Sequence, residues 1–354
     1  MSVPASLRAF LTGIVDYAGL FPPAKLPLEE AIRNYARYRT EPEAWMLGRF
    51  VCPVNQLHEL RRFQDELFPQ SDSFRFSALG TGGENVSTFL AALERDLADI
   101  VAFHKDFAGS ARVQVYEVKR PDEFFDTTSL DLILSWHRKE ADLIKAYPDQ
   151  GELAWFFEVN PRFVNENSPS QAIQWIRGMD YCGFGGVKRD ALGFGVDCPR
   201  GVVGLKVRCG GTTAAAFPSA ANLATMLSQG GHIHTRSGSL SEWRWLGITL
   251  KCTAGLHHPL PHWDAELRVK MHGFINVFGA GMLAEKHELP EKEIQAILED
   301  ENPAHFTFTD SAFRWKDLDL ATEEIVEMRR TRMTSFGSCS FDDPREDLKR
   351  LGWI

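Results

Sequence analysis

The feature that most limits how this chain can fold is a rhythm: a short apolar run of strand type followed by a stretch of helical period, met eight times over 354 residues. The apolar runs fall at 49–54, 74–79, 113–118, 153–159, 203–209, 247–253, 305–309 and 335–341. After each comes a helical pattern, such as the one carrying Phe89, Leu93, Leu97, Ile100 and Val101 on one side, or the single helix over 271–284. Start signals mark several of them: Asn55 as a cap, Pro169 in a first turn, and the pair Asp343-Pro344 ahead of the last helix. One further helix, with Leu28, Ile32, Tyr35 and Ala36 on one face, precedes the first run. The segment around 15–24 is broken by Gly19, Pro22 and Pro23 and reads as an irregular loop.

Strands that alternate with helices build a parallel sheet. Eight such units, at spacings of roughly 25 to 50 residues, match the count of a (β/α)8 barrel. An open doubly wound sheet has the same periodicity. The count of eight, with polar residues near most strand ends, favours the barrel. No linker divides the chain. The expected fold is therefore α/β, a single TIM-type barrel over 1–354, in which residues 1–47 form an N-terminal extension packed over the catalytic face.

Two of the runs break the rule for a strand covered on both faces, which should be almost continuously apolar. The run 203–209 contains Lys206 and Arg208, and the run 247–253 contains Lys251. Strand side chains alternate, so Lys206 and Arg208 share one face, as do Thr249, Lys251 and Thr253. A buried ammonium without a partner is costly, so such groups are paired, shifted in pKa or functional. In a barrel the site lies at the C-terminal ends of the strands. That rule adds Glu117, Glu158, Asn160, Ser338 and Cys339 to the set. Asp16 joins them by topology, because a helix running antiparallel to the first strand begins at that same face.

A lysine desolvated beside a second cation loses its proton more easily and becomes a nucleophilic amine. Such an amine condenses with a carbonyl, and the iminium serves as an electron sink for C–C cleavage or enolisation, with a carboxylate moving the proton. In its strand–helix rhythm and its strand-end lysines the chain resembles the class I, Schiff-base aldolase group of barrels. The resemblance implies a lyase or isomerase for a small anionic carbonyl or sugar-like compound. It points to Lys251 as the amine and Lys206 as the neighbouring cation, with exchangeable roles, and to Glu158 or Glu117 for proton transfer. Arg208 is suited to a substrate carboxylate, and Asp16, Asn160, Thr253, His257, His258, Ser338 and Cys339 complete the expected substrate contacts. No cofactor is required.

Two other readings compete. Glu158 and Glu117 could neutralise Lys206, Lys119 or Arg208 in a structural ion network, leaving a barrel that binds a ligand without chemistry. Alternatively, His257 and His258, part of a group of four histidines with His262 and His272, could join Glu117 and Glu158 around a divalent metal. The lysines oppose that by repulsion. The pair His232 and His234 has the spacing of metal-dependent barrel hydrolases, but it lies in a late polar loop instead of ending the first strand. Cys339 lacks a base visible in the sequence, and the glycines at 80–83 and 210–211 are explained by turns.

The net charge of -9 argues against nucleic acid or an anionic membrane as partner. No apolar run approaches the ~18 residues of a membrane span. The N-terminus lacks a signal-peptide pattern, and the six cysteines include no CxxC pair, so a reduced, cytoplasmic setting is expected. A homo-oligomer is compatible with this reading.

Overall fold

A computed structural model describes residues 3–69, 72–127, 129–147, 153–158, 203–229 and 249–354. Eight parallel strands close into a barrel: β1 (Val15–Tyr17), β2 (Leu47–Pro53), β3 (Phe74–Leu79), β4 (Ala111–Lys119), β5 (Ala154–Glu158), β6 (Val203–Arg208), β7 (Thr249–Thr253) and, last in the chain, β13 (Met333–Ser338). They follow one another around the wall in chain order, and β13 closes onto β1 through Val15 opposite Phe336 and Tyr17 opposite Ser338. The expected closed (β/α)8 architecture is present.

The strands are partly different from those expected. Residues 15–17, read as part of a loop, form the first barrel strand, so the run at 49–54 is the second. The run at 305–309 is not in the barrel. It gives β10 (Phe306–Phe308), which pairs antiparallel with β11 (Ala312–Trp315), itself paired with β12 (Leu318–Ala321), in a separate three-stranded sheet. A hairpin of β8 (His262–Asp264) and β9 (Val269–Met271) follows β7. The expected helix over 168–177 and the polar loop over 229–242 lie wholly or mostly outside the described residues.

Of the expected N-terminal extension, only the part ahead of β1 sits at the opposite end from the one expected; residues 18–27 follow β1 at the end where the strands finish, with Ala18 donating its N–H to the Ser338 carbonyl at 2.6 Å. The helix Ala5–Leu11 ends just before β1 starts. Arg8 lies 4.4 Å over the Trp45 ring, which stands ahead of β2, and Gly13 donates its N–H to the Trp45 carbonyl at 2.9 Å. Phe10 packs edge-on against Phe308 and Phe313 of the separate sheet, at 5.7 and 5.2 Å. These contacts close the end at which the strands begin. The mouth belongs to the loops that follow the strands.

The helices around the wall form for ordinary reasons. Leu28–Tyr38 buries Leu28, Ala31, Ile32, Tyr35 and Tyr38 on one stripe, with Glu29 and Glu30 in its first turn and Arg37 in its last, complementing the helix dipole. Val86–Phe107 begins at an Asn85–Thr88 capping box. Outward strand side chains pack into this ring: Phe50 against Tyr35 at 5.6 Å, Phe76 against Phe103 at 5.3 Å, Phe336 against Phe274 at 5.1 Å. Inside the bore, Val115, Ala154 and Phe156 form a second, small apolar cluster. Gly204 makes space for it: a Cβ there would lie 2.5 Å from both the Phe156 ring and the Thr249 carbonyl oxygen. Alternation places Glu117 and Glu158 on the same inward face, above this apolar floor.

Candidate active site

Polar side chains from all eight barrel strands meet in one connected group above that floor. At one end is Arg49 on β2, whose guanidinium lies 3.7 Å from Asp16 on β1. Asp16 also accepts the Arg49 backbone N–H at 2.7 Å and the Ser335 hydroxyl of β13 at 2.7 Å, and it pairs with Lys251 on β7. The Lys251 ammonium donates to Ser335 Oγ at 3.1 Å and lies 3.3 Å from Glu117 Oε1 on β4. Glu117 also accepts from Ser77 of β3, and its second oxygen stands 2.9 Å from Lys206 on β6. Lys206 is 3.1 Å from Glu158 Oε2 on β5, and Glu158 Oε1 takes Arg208 Nε and Nη2 at 2.9 and 2.8 Å.

The order is thus Arg49, Asp16, Lys251, Glu117, Lys206, Glu158, Arg208, with charge alternating at each step. Register explains part of it. Lys206 stands opposite Lys251 across β6 and β7, and opposite Glu158 across β5 and β6, so two lysines would face each other directly without Glu117 between them. Asp16, Glu117, Glu158, Lys206 and Lys251 are all buried.

The pKa directions follow from burial opposed by these pairs. Burial alone pushes Glu117 up, but Lys206 and Lys251 outweigh it and bring its carboxyl down to about 2. Asp16 is held low against its own burial by Lys251 and then Arg49, and Glu158 by Lys206 and Arg208. Burial would strip Lys206 of its proton, yet Glu117 and Glu158 keep its pKa above the ordinary value. A lysine beside another cation alone would have a depressed pKa. At Lys206 the flanking carboxylates reverse the sign.

The expected residues are only partly brought together. Lys206, Lys251, Glu117, Glu158, Arg208 and Asp16 form the group just described. Asp16 belongs to the barrel wall itself, not to a loop folded over the mouth. Thr253 stands in register with Arg208 at the end of β7. Asn160, His232 and His234 fall outside the described residues. His257 and His258 turn to other partners. His257 Nδ1 lies 3.4 Å from Ser338 Oγ, 4.0 Å from Cys339 Sγ and 3.8 Å from Asp343, while His258 pairs with Asp347 of the terminal helix Asp342–Arg350. Burial lowers the His257 pKa and raises that of the Cys339 thiol, so this pair rests as neutral imidazole and thiol. His257 and His258 thus have partners other than Glu117 and Glu158, and among the described residues no group of three or more His, Cys, Asp or Glu is placed to hold a metal ion.

Three members were missed: Arg49, Ser77 and Ser335. Each is a polar residue inside or at the edge of an apolar run; alternation gives its face, but its partners follow only once the register is known. Gly48 also contributes, since a Cβ there would occupy the place of the Asp16 carboxylate. Among the described residues no helix is long and apolar enough to cross a membrane. The chain matches no protein-family model and no curated protein.

Proposed function

We propose that this barrel is an enzyme for a small anionic carbonyl compound, a C–C lyase of aldolase type or an isomerase, working through a lysine Schiff base. The observation that carries the reading is the lysine pair that shares the single carboxylate of Glu117 over an apolar floor. Of the two exchangeable roles, geometry favours Lys206 as the amine. An ammonium has three N–H donors, and Lys251 is surrounded by three oxygens, those of Asp16, Ser335 and Glu117. Lys206 has two carboxylate partners, and its side chain retains 6% exposure against 1% for Lys251. Lys251 then acts as the fixed neighbouring cation.

The chemistry begins with transfer of the Lys206 proton to a neighbouring carboxylate. The free amine adds to the carbonyl carbon and passes one N–H proton to its oxygen, the resulting hydroxyl takes the proton back from the carboxylate and leaves as water, and a cationic imine remains. Electrons from the adjacent C–C or C–H bond flow into that imine, with Glu117 or Glu158 accepting the proton released. Borohydride reduction in the presence of small oxo compounds, followed by peptide mapping, tests this. The expected product is a secondary amine at Lys206, absent in Lys206→Arg. No adduct at either Lys206 or Lys251 with any carbonyl compound rejects the mechanism.

A second reading has its own observation: Lys206, Arg208 and Lys251 all have carboxylate partners. A barrel that binds an anion without transforming it also fits that pattern. It predicts thermal stabilisation by small anions with no trapped adduct.

A further inference from the structure

We propose that Glu158 holds Arg208 in the place of a substrate carboxylate, and that the substrate is a 2-oxo acid, with its carboxylate attached directly to the carbonyl carbon. The inference rests on the Schiff-base reading and adds the position and charge of the substrate's anionic group. Glu158 spans two cations: Oε2 faces the Lys206 amine at 3.1 Å, and Oε1 takes two guanidinium nitrogens of Arg208. The carboxylate between the amine and the guanidinium therefore touches both. A substrate whose carbonyl carbon is bonded to Lys206 and whose anion rests on Arg208 must fit its anion into the same short interval. A carboxylate on the carbonyl carbon does so; one several carbons away overshoots.

Charge supports a single carboxylate. Among the described residues the group contains four cations, Arg49, Lys251, Lys206 and Arg208, against three carboxylates, Asp16, Glu117 and Glu158. One monoanion brings these described charges into balance, whereas a dianion exceeds their surplus by one. Arg208 is the accessible end of the series, with a side chain 34% exposed, so exchange of its partner is open from the mouth.

The exchange also supplies the proton acceptor. When the substrate carboxylate takes over Arg208, Glu158 loses its guanidinium partner and becomes more basic. It takes a proton from the Lys206 ammonium, the amine adds to the oxo carbon and passes one N–H proton to the oxo oxygen to form a hydroxyl, and Glu158 returns the first proton to that hydroxyl, which leaves as water. Glu158 ends as a carboxylate and the nitrogen as a cationic imine.

The test uses the whole chain and three probes under borohydride: pyruvate, 4-oxopentanoate and acetone. The expected result is a 1-carboxyethyl group on Lys206 with pyruvate, in at least about ten-fold greater yield than adducts from the other two, a factor equal to about 1.4 kcal/mol. In Arg208→Met the pyruvate yield should fall to the acetone level. In Arg208→Lys, which keeps the charge without the planar fork, it should lie between. Circular dichroism of both variants separates this loss from misfolding. Equal trapping of acetone or 4-oxopentanoate by the native protein overturns the 2-oxo acid inference and leaves the Schiff base standing. No adduct with any probe overturns both.

Discussion

Glu117 is the residue on which the buried charges depend most. Its two oxygens separate Lys206 from Lys251, which face each other in register, and Ser77 fixes its orientation. Removing one partner of a buried ionic group leaves uncompensated charge, so Glu117→Gln is expected to cost about 3–5 kcal/mol, read as a lower denaturant midpoint at neutral pH. The same residue sets an acid limit. Its folded pKa of about 2 lies below its ordinary 4.5, so its contribution is present above 4.5 and is lost as pH falls through about 2. Asp16 and Glu158 are shifted in the same direction and add to that acid loss. Lys206 has the opposite sign: its raised pKa contributes below the ordinary 10.5 and is lost as pH rises beyond it. Stability measured against pH should therefore form a plateau that falls at both ends, and Glu117→Gln should flatten the acid limb. An acid limb unchanged in that variant would mean that other carboxylates control it.

At the scale of elements, seven of the eight expected runs coincide with barrel strands, and Arg49, Glu117, Glu158, Lys206, Arg208 and Lys251 within them meet in the bore. The count of eight strands was right through two errors that cancel. Val15–Tyr17 was missed because it is only three residues long and runs into Gly19 and Pro22, so local pattern gives it no length to register. The run at 305–309 was included because a strand in a flanking antiparallel sheet has the same local composition as one in a barrel. Lysines and an arginine in apolar runs, by contrast, were legible, since alternation fixes which of them share a face before any register is known. What alternation cannot supply is the pairing between strands, and that is where Arg49, Ser77 and Ser335 were lost. Register also gives Gly204 its role. Adding a methyl group there drives it into the Phe156 ring and the Thr249 carbonyl, in a strand pair that must keep Lys206 beside Lys251. Gly204→Ala should cost about 1–3 kcal/mol as overpacking, and because Phe156 is the floor beneath the lysines it should also reduce adduct formation at Lys206. Full stability with full trapping in that variant would show that the floor relaxes freely.

Across the whole molecule the two ends of the barrel are assigned different work. The end where the strands begin is sealed by the helix Ala5–Leu11 and the sheet β10–β12, with Phe10 wedged against Phe308 and Phe313, and with Arg329 donating to the carbonyls of Thr334 and, at 3.1 Å, Thr12. The end where they finish carries Arg208 and the loops after the strands. In barrels of this architecture chemistry resides at the second end and stability at the first, so the two should separate by mutation. Phe10 is fully buried against Phe308 and Phe313, and its truncation opens a large cavity at the end where the strands begin. Phe10→Ala should cost about 3–5 kcal/mol and lower the thermal midpoint. Below that midpoint, the yield of borohydride adduct at Lys206 should match that of the native protein. A variant that stays folded yet loses trapping would show that the sealed end holds the lysine pair in register, and that the barrel works as one coupled body instead of a plug beneath a site.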